Sequence, residues 1–357
     1  MHVIQDEPQK VRKGEDLDLV SLSQHLYRFL PGLNGEPASL LQFPGGHSNL
    51  TYLLRIGGRE MVLRRPPFGN QVKSAHDMGR EYRVLAKLWS VYAPAPRPYL
   101  LCEDPKVIGV PFYVMERRQG VILRAPLPDH FRISPEEVRQ ANLTLIDNLA
   151  DLHMLDYERA GLADVGKPEG YVARQVTGWL NRWHQARTSD LDAMEHLGQW
   201  LQRRLPPPAA PALLHNDYKF DNLVFDPADL TRLVAVLDWE MATLGDPLMD
   251  LGLALAYWTD RFETPILPLA ALGPTMMPGS LTRRELLDRY VARTGKDVTH
   301  IVFYYVFGLF KIAVIIQQIY ARYARGHTAD PRFAELDQAV VLLAHEAWRI
   351  AQLDRLP

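Results

Sequence analysis

Between residues 213 and 240 the chain carries side chains whose types and spacing suit phosphoryl transfer. The segment Leu213-Leu214-His215-Asn216-Asp217-Tyr218-Lys219-Phe220-Asp221-Asn222-Leu223-Val224-Phe225 puts a carboxylate two residues after a histidine and an amide five residues after that carboxylate. Val236-Leu237-Asp238-Trp239-Glu240 follows with a second carboxylate. Moving a phosphoryl group from a nucleotide needs a group that orients the attacking hydroxyl and accepts its proton. It also needs hard oxygen ligands for magnesium and a cation against the charge of the transferred group. Asp217 fits the first role, Asn222 and Asp238 the second, and Lys219 the third. Taken singly, Asp and Asn are turn and cap residues; the joint spacing is what selects the chemistry. His215 is expected to brace the loop through hydrogen bonds rather than to react. Asp246 and Asp250, at a helix start, are expected to cap that helix and hold the loop. Asp221 is expected to be a solvated neighbour.

Such groups need rigid elements to hold them. Leu19, Leu22, Leu26, Phe29 and Leu30 recur at helical spacing. Residues 40–56 read as two strands around Pro44–Asn49, the second with Leu50, Tyr52, Leu54 and Ile56 on one buried face. Gly57-Gly58 is a hairpin signal, and Glu60–Arg64 is the returning strand, with Val62 and Arg64 on one face. Met78, Tyr82, Leu85, Leu88 and Trp89 mark a helix face; Tyr99–Cys102 and Phe112–Met115 read as strands. Beyond 116–120 the pattern turns helical over 135–156, 171–186 and 191–205, with Ser134-Pro135-Glu136-Glu137 as a strong helix start. Pro206–Pro208 and Pro211 form a stiff connector. Leu223–Phe225 and Leu233–Leu237 then read as a hairpin, and the chain is mostly helical from about 247. Strands early and helices late give an α+β protein: a small sheet lobe over 1–116 and a larger helical lobe over 117–357. Cys102, Trp179, Trp183 and Trp200 are expected in the core.

These segments have company: Gly45-Gly46-His47-Ser48-Asn49-Leu50-Thr51-Tyr52, Val62-Leu63-Arg64-Arg65-Pro66-Pro67, Arg80-Glu81-Tyr82 and Gly245-Asp246-Pro247-Leu248-Met249-Asp250-Leu251. On all of them the chain resembles the aminoglycoside phosphotransferase and choline kinase group. Within it, the chain is most similar to the kinase-like domains related to the N-terminal part of some acyl-CoA dehydrogenase family members. The resemblance implies a protein-kinase-like two-lobed fold, with a small antiparallel-sheet N-lobe and a larger, mostly helical C-lobe. It implies ATP or GTP with Mg2+ as cofactors and a small-molecule hydroxyl as acceptor. It assigns Asp217 as base and Asn222 and Asp238 as magnesium ligands. Gly45, Gly46, Ser48 and Asn49 would cover the phosphates through backbone N–H groups. Glu81 would anchor the phosphate-binding side chain of the third strand, and the backbone at Glu116 and Arg118 would hydrogen-bond adenine.

Two features depart from that pattern. Arg64 stands where lysine is usual; arginine keeps the charge and can grip phosphate and Glu81 as a fork. Asp238-Trp239-Glu240 replaces Asp-Phe-Gly, and no Ala-Pro-Glu follows, which argues against a protein kinase switched by loop phosphorylation. Glu240 offers an extra ligand, directly or through water. The aromatic stripe Phe303–Tyr323 reads as lobe core, or in part as the lining for an apolar acceptor portion. A polycationic aminoglycoside calls for clustered acidic residues, whereas here they are scattered from Glu263 onward. The resemblance points instead to a hydroxyacyl compound or its coenzyme A thioester.

Composition narrows the alternatives. The chain has 357 residues, 47% of them apolar, enough for a sizeable core. Lys+Arg 40 against Asp+Glu 42 gives a net charge of −2, so there is no large basic field for nucleic acid or an anionic membrane. One cysteine excludes an internal disulfide and a cysteine-rich zinc site. Residues 1–13 lack an apolar signal-peptide core. The apolar run Ile301–Ile316, interrupted by Lys311, is too short to span a bilayer and is expected as a buried helix. A cytoplasmic enzyme is the expectation, with the oligomeric state open. Two other readings remain: a catalytically silent nucleotide-binding module, with Arg64 marking the loss, and a metal-dependent hydrolase using His215, Asp217 and Asp238.

Overall fold

Gly57 and Gly58 both take positive φ, the geometry of a two-residue hairpin turn matched to right-handed strand twist. That turn joins Leu50–Ile56 to Arg59–Arg65, the strand that carries Arg64. In this computed structural model residues 7–44, 49–68, 77–124, 127, 132–260, 263, 273–328 and 330–357 are described. In chain order the elements are α1 (Leu19–Phe29), β1 (Ala38–Gln42), β2 (Leu50–Ile56), β3 (Arg59–Arg65), α2 (Met78–Leu88), β4 (Pro98–Cys102), the single turn α3 (Pro105–Ile108) and β5 (Phe112–Glu116). Next come α4 (Pro135–His153), α5 (Tyr171–Ala186), α6 (Asp192–Arg203), β6 (Ala212–Leu214), β7 (Leu223–Asp226), β8 (Asp229–Val236) and β9 (Thr243–Gly245). The chain ends in α7 (Pro247–Ala256), α8 (Arg283–Thr294), α9 (Ile301–Ala324) and α10 (Leu336–Leu353). Two compact units result: Met1–Ile122 with Glu158–Leu162 and Asn222–Ala242, and Leu123–Tyr157 with Ala163–Asp221 and Thr243–Pro357.

The first unit is built on an antiparallel five-stranded sheet in the order β1-β2-β3-β5-β4. One face packs Leu50, Tyr52, Leu54, Ile56, Met61 and Leu63 against Leu22 and Leu26 of α1. Central β3 is buried on both sides from Met61 to Arg65, as a mid-sheet strand must be once both faces are covered. Alternation therefore turns Val62 and Arg64 away from α1. Asp77 caps α2 by accepting the Arg80 N–H at 2.9 Å. The β7–β8 hairpin also belongs here. Val121 bridges Phe225, and the Val236 N–H donates to Pro94 O at 2.9 Å. Gly120 allows that approach, because a Cβ there would lie 2.3 Å from Phe225 O. β8 starts at Asp229, earlier than the apolar pattern 233–237 indicates; its first residues are paired but half in solvent, so hydropathy does not mark them.

Among its described residues the second unit is built of helices and the short strands β6 and β9, which pair antiparallel. Three-residue strands beside a proline run are too short to show a period, so the sequence does not reveal them. Capping boxes start α4 (Ser134 with Glu137) and α8 (Thr282 with Glu285). α9 is the central helix, buried along most of its length and packed by α5, α7 and α10. Its 24 residues run past Ile316, so by length and composition it could cross a membrane, but here its apolar surface is covered by its own unit. α7 crosses it closely: a Cβ on Gly252 would meet the Tyr304 backbone at 2.5 Å.

Candidate active site

In the second unit the loop after β6 is held from below by one acid. Asp250 of α7 is fully buried and accepts the His215 N–H through Oδ2 (2.6 Å) and the Asn216 N–H through Oδ1 (2.8 Å). Burial pushes this carboxyl up. The hydrogen bond from His153, the electrostatic pull of His153 and His215, and the His215 N–H outweigh burial and hold it below the usual range. Asn216 takes the left-handed conformation, which asparagine tolerates better than most residues. Its Oδ1 accepts from the Tyr171 hydroxyl at 2.9 Å. His215 is wholly buried, and its Nδ1 accepts the Asp217 N–H at 3.3 Å, so it braces the loop. Asp246 caps α7 through the Leu248 N–H (2.9 Å) and accepts the Tyr304 hydroxyl (2.5 Å).

The carboxylate of Asp217 rises from this fixed backbone with 24% of its side chain exposed, so a solute can reach it. Lys219 Nζ lies 2.6 Å from both of its oxygens, and the Tyr257 hydroxyl is 3.4 Å from Oδ1. The Lys219 ammonium also stands 4.9 Å over the Tyr257 ring. Lys219, expected to face a phosphate, thus closes on the candidate base itself. Asp221 is not the solvated neighbour expected: it is half-buried, its carboxyl pushed up by burial, with Arg124 Nε 3.4 Å away pulling the other way.

Replacing Asp250 with Asn is expected to cost about 1–3 kcal/mol, because the amide can accept only one of the two loop N–H groups and points a donor at the other. Urea denaturation measures it. The carboxyl is depressed, so its contribution is complete above the unfolded value of about 3.9 and disappears as pH falls below that. The gap between the two proteins should therefore be flat from neutral pH down to about 4 and close below it.

In the first unit Arg64 of β3 reaches two acids. One terminal nitrogen bonds Glu81 of α2; the other lies 2.7 Å from Asp238 Oδ1. Glu81 is buried and also accepts the Trp239 N–H at 3.1 Å. Asp238 sits at positive φ, a left-handed position unusual for a residue other than glycine. The Trp239 indole N–H donates to Val236 O (2.8 Å), which fixes the turn behind Asp238. Asn49 is buried and donates to Glu240 Oε2 (2.7 Å). Gly45, Gly46 and Ser48 lie outside the described residues. Asn222 ends a single turn Phe220–Asn222, and its carbonyl accepts the Leu237 N–H at 2.8 Å. Glu116 closes β5. Its N–H already donates to Arg97 O (2.8 Å), so at Glu116 the backbone group left for adenine is the carbonyl. Arg118 Nε pairs with Glu116 Oε2 at 3.0 Å.

Asn222 and Asp238 offer hard oxygen donors of the kind magnesium takes beside phosphates, while among the described residues no group of three or more His, Cys, Asp or Glu side chains is set to hold an ion by itself. Asp238, Glu81 and Glu240 act on one another as three carboxylates beside the Arg64 guanidinium. Burial, then the charge of Asp238, pushes Glu240 up to about 7. Hard oxygens under excess negative charge are what a divalent cation relieves.

Sequence reasoning did not single out Tyr257, Tyr171 or Arg124, and it noted Lys311 only as an interruption. Lys311 Nζ donates to Asn216 O at 2.9 Å from inside α9. The signal was present for Lys311, a lone charge in an apolar run; nothing in the pattern marks the others.

The sequence profile described as "Phosphotransferase enzyme family" matches residues 39–285. Acyl-CoA dehydrogenase family member 11 of Gallus gallus is 36% identical over 353 residues, covering 96% of this chain and 44% of its own length. Acyl-CoA dehydrogenase family member 10 of Mus musculus is 36% identical over 334 residues, covering 91% and 31%. The chain thus spans less than half the length of these curated relatives. Among solved structures, a candidate aminoglycoside phosphotransferase from Ralstonia eutropha superposes with a TM-score of 0.79 at 32% identity, over 95% of this chain and 99% of that one. A thermostable aminoglycoside phosphotransferase variant in ternary complex with AMP-PNP and hygromycin B shares the fold at TM-score 0.59 and 17% identity, over 92% and 98%.

Proposed function

The chain belongs to the phosphotransferase enzyme family, and on that premise we propose that it moves the terminal phosphoryl group of ATP to the hydroxyl of a small hydroxyacyl compound, free or as its coenzyme A thioester. One observation carries the reading: Asp217 is a reachable carboxylate on a backbone held rigid by buried Asp250. A general base needs both reach and fixed aim. Asp217 accepts the proton as the acceptor oxygen attacks. Lys219, already on both Asp217 oxygens, moves its charge toward the transferred group as that proton neutralises the carboxylate. Asn222 and Asp238 would hold Mg2+, which when bound offsets the charge of the phosphates. Arg64 supplies the fixed cation of the sheet unit. The acceptor class is supported by the dehydrogenase relatives and by the scattered acidic residues, which offer no cluster for a polycation. A cytoplasmic location is part of the proposal.

Arg64 favours one competing reading. A guanidinium shared between Glu81 and Asp238 occupies a carboxylate that magnesium would use, as in a module that binds nucleotide without turnover. Incubation with γ-labelled ATP, Mg2+ and panels of simple alcohols, amino alcohols and 3- and 4-hydroxyacyl thioesters separates the two. Label transferred to a hydroxyacyl compound is the expected result. MgATP-induced thermal stabilisation with no transfer and no slow hydrolysis would favour the silent module. Transfer to aminoglycosides alone would overturn the acceptor.

A further inference from the structure

We propose that Lys311 is the positioning residue for the candidate base, its ammonium fixing the Asn216–Asp217 peptide from inside α9 and supplying the counter-charge beneath Asp217. The inference rests on the phosphoryl-transfer reading for the role of Asp217, but the coupling between the two side chains can be measured without turnover.

Lys311 is the one charged residue in 301–321 and is buried. A lysine in such a helix is a poor choice for stability, since apolar replacements of buried charges are often neutral or stabilising. Its position must therefore answer another need. Its Nζ donates to Asn216 O at 2.9 Å and lies 5.3 Å from the centre of the Trp179 ring. The Asn216 carbonyl belongs to the same peptide unit as the Asp217 N–H, which donates to His215 Nδ1. That peptide plane is thus pinned at both edges. It follows a residue at positive φ whose own N–H is held by Asp250 and whose amide is held by Tyr171. Releasing the carbonyl lets the plane rotate, and the Asp217 carboxylate swings with it.

The charges acting on Lys311 sit on the loop, α7 and α5: Asp217 and Lys219 on the loop, Asp250 on α7 and Arg182 on α5. Burial brings its ammonium down to about 8, with Asp217 and Asp250 holding it up and Lys219 and Arg182 pushing it further down. Above about pH 8 the amine is neutral, and the counter-charge under the base is gone. Activity should therefore fall as pH rises through that value. Stability moves the opposite way. Between about 8 and the unfolded lysine value of about 10.4 the unfolded chain binds more protons at this site, so its contribution to stability rises with pH. A role confined to packing would not give opposite slopes for the two quantities.

Three variants and two readouts test this. Lys311→Met should lower kcat roughly 10–100-fold with KM for MgATP unchanged, the cost of a displaced catalytic group. Lys311→Gln keeps a neutral donor without the charge; it should hold kcat at the level the wild type reaches above about pH 8, above that of Lys311→Met, and lose the alkaline inflection. Wild-type kcat and an unchanged pH profile in Lys311→Met would overturn the proposal. Independently of turnover, 13Cε NMR of labelled lysines should show one signal titrating near 8, absent in both Lys311 variants and shifted to lower pH by Asp217→Asn. A Lys311 that titrates with the surface lysines, or does not respond to Asp217→Asn, refutes the coupling even if Lys311→Met fails to fold. Absence of phosphoryl transfer in the wild type with the NMR coupling intact would instead refute the reaction assigned to Asp217.

Discussion

Asp217→Asn is expected to lower kcat for phosphoryl transfer by roughly 10²–10⁴-fold, the range that a positioned general base contributes. KM for MgATP and the melting temperature should hardly change. The substitution conserves size, and the backbone that carries residue 217 is held by Asp250, Lys311 and His215 through main-chain atoms that it leaves alone. What it removes is the charge on which Lys219 closes at 2.6 Å to both oxygens, and the lone pair that takes the proton. The proposal gives magnesium and nucleotide to Asn222, Asp238 and Arg64, so MgATP should raise the melting temperature of the variant as much as that of the wild type. Steady-state kinetics beside thermal denaturation with and without MgATP make the comparison. A variant that turns over at the wild-type rate ends the assignment of Asp217 as base. One that also loses MgATP stabilisation shows that the residue holds nucleotide rather than the acceptor proton.

The candidate residues could be singled out because their spacing is local: 217, 219 and 222 sit on one short loop, and 238 closes the next hairpin. The sheet was legible for a similar reason. The every-other-residue run Leu50, Tyr52, Leu54 and Ile56 and the Gly57-Gly58 turn set the register, and that register puts Arg64 on the face opposite α1. The supports of the site were not legible. Asp250 reaches back 34 residues to Asn216, Tyr171 forward 45 and Lys311 back 95. No window-based pattern joins residues so far apart. Pattern also fails where an element is minimal, as in β6 and β9, or where the ion-pair partner of a half-buried charge is remote in sequence, as Arg124 is for Asp221. The aromatic stripe of α9 behaves as the central packing surface of its unit, while Trp200, expected in the core with Trp179 and Trp183, is only partly covered and stacks on Phe303 with centroids 6.0 Å apart.

Arg64→Met tests the departure from lysine and should have the largest effect on stability. Arg64 and Glu81 keep only 8% and 1% of their side chains exposed. Removing the guanidinium leaves the Glu81 carboxylate buried without its cation, an injury of about 3–5 kcal/mol for a broken buried pair. The pH dependence follows from the direction of the Glu81 shift. Burial already raises its carboxyl above the ordinary range, Arg64 opposes that, and the charge of Asp238 adds to it. Without Arg64 the group rises further, and protonation is the way in which the variant escapes the cost. The stability deficit should be largest at alkaline pH and should narrow as pH falls through the raised Glu81 value of the variant. Arg64→Lys separates charge from shape. One ammonium cannot bond Glu81 and Asp238 with the two-pronged geometry of a guanidinium, so it should satisfy Glu81, recover most of the stability and release Asp238. If Asp238 is a magnesium ligand that the arginine partly occupies, Arg64→Lys should need less Mg2+ for half-maximal MgATP stabilisation than the wild type. If Arg64→Lys needs the same Mg2+ as wild type while Arg64→Met is as stable as wild type at neutral pH, Arg64 neither holds the buried acid nor competes for the metal. The sheet unit would then need a different account of its three carboxylates.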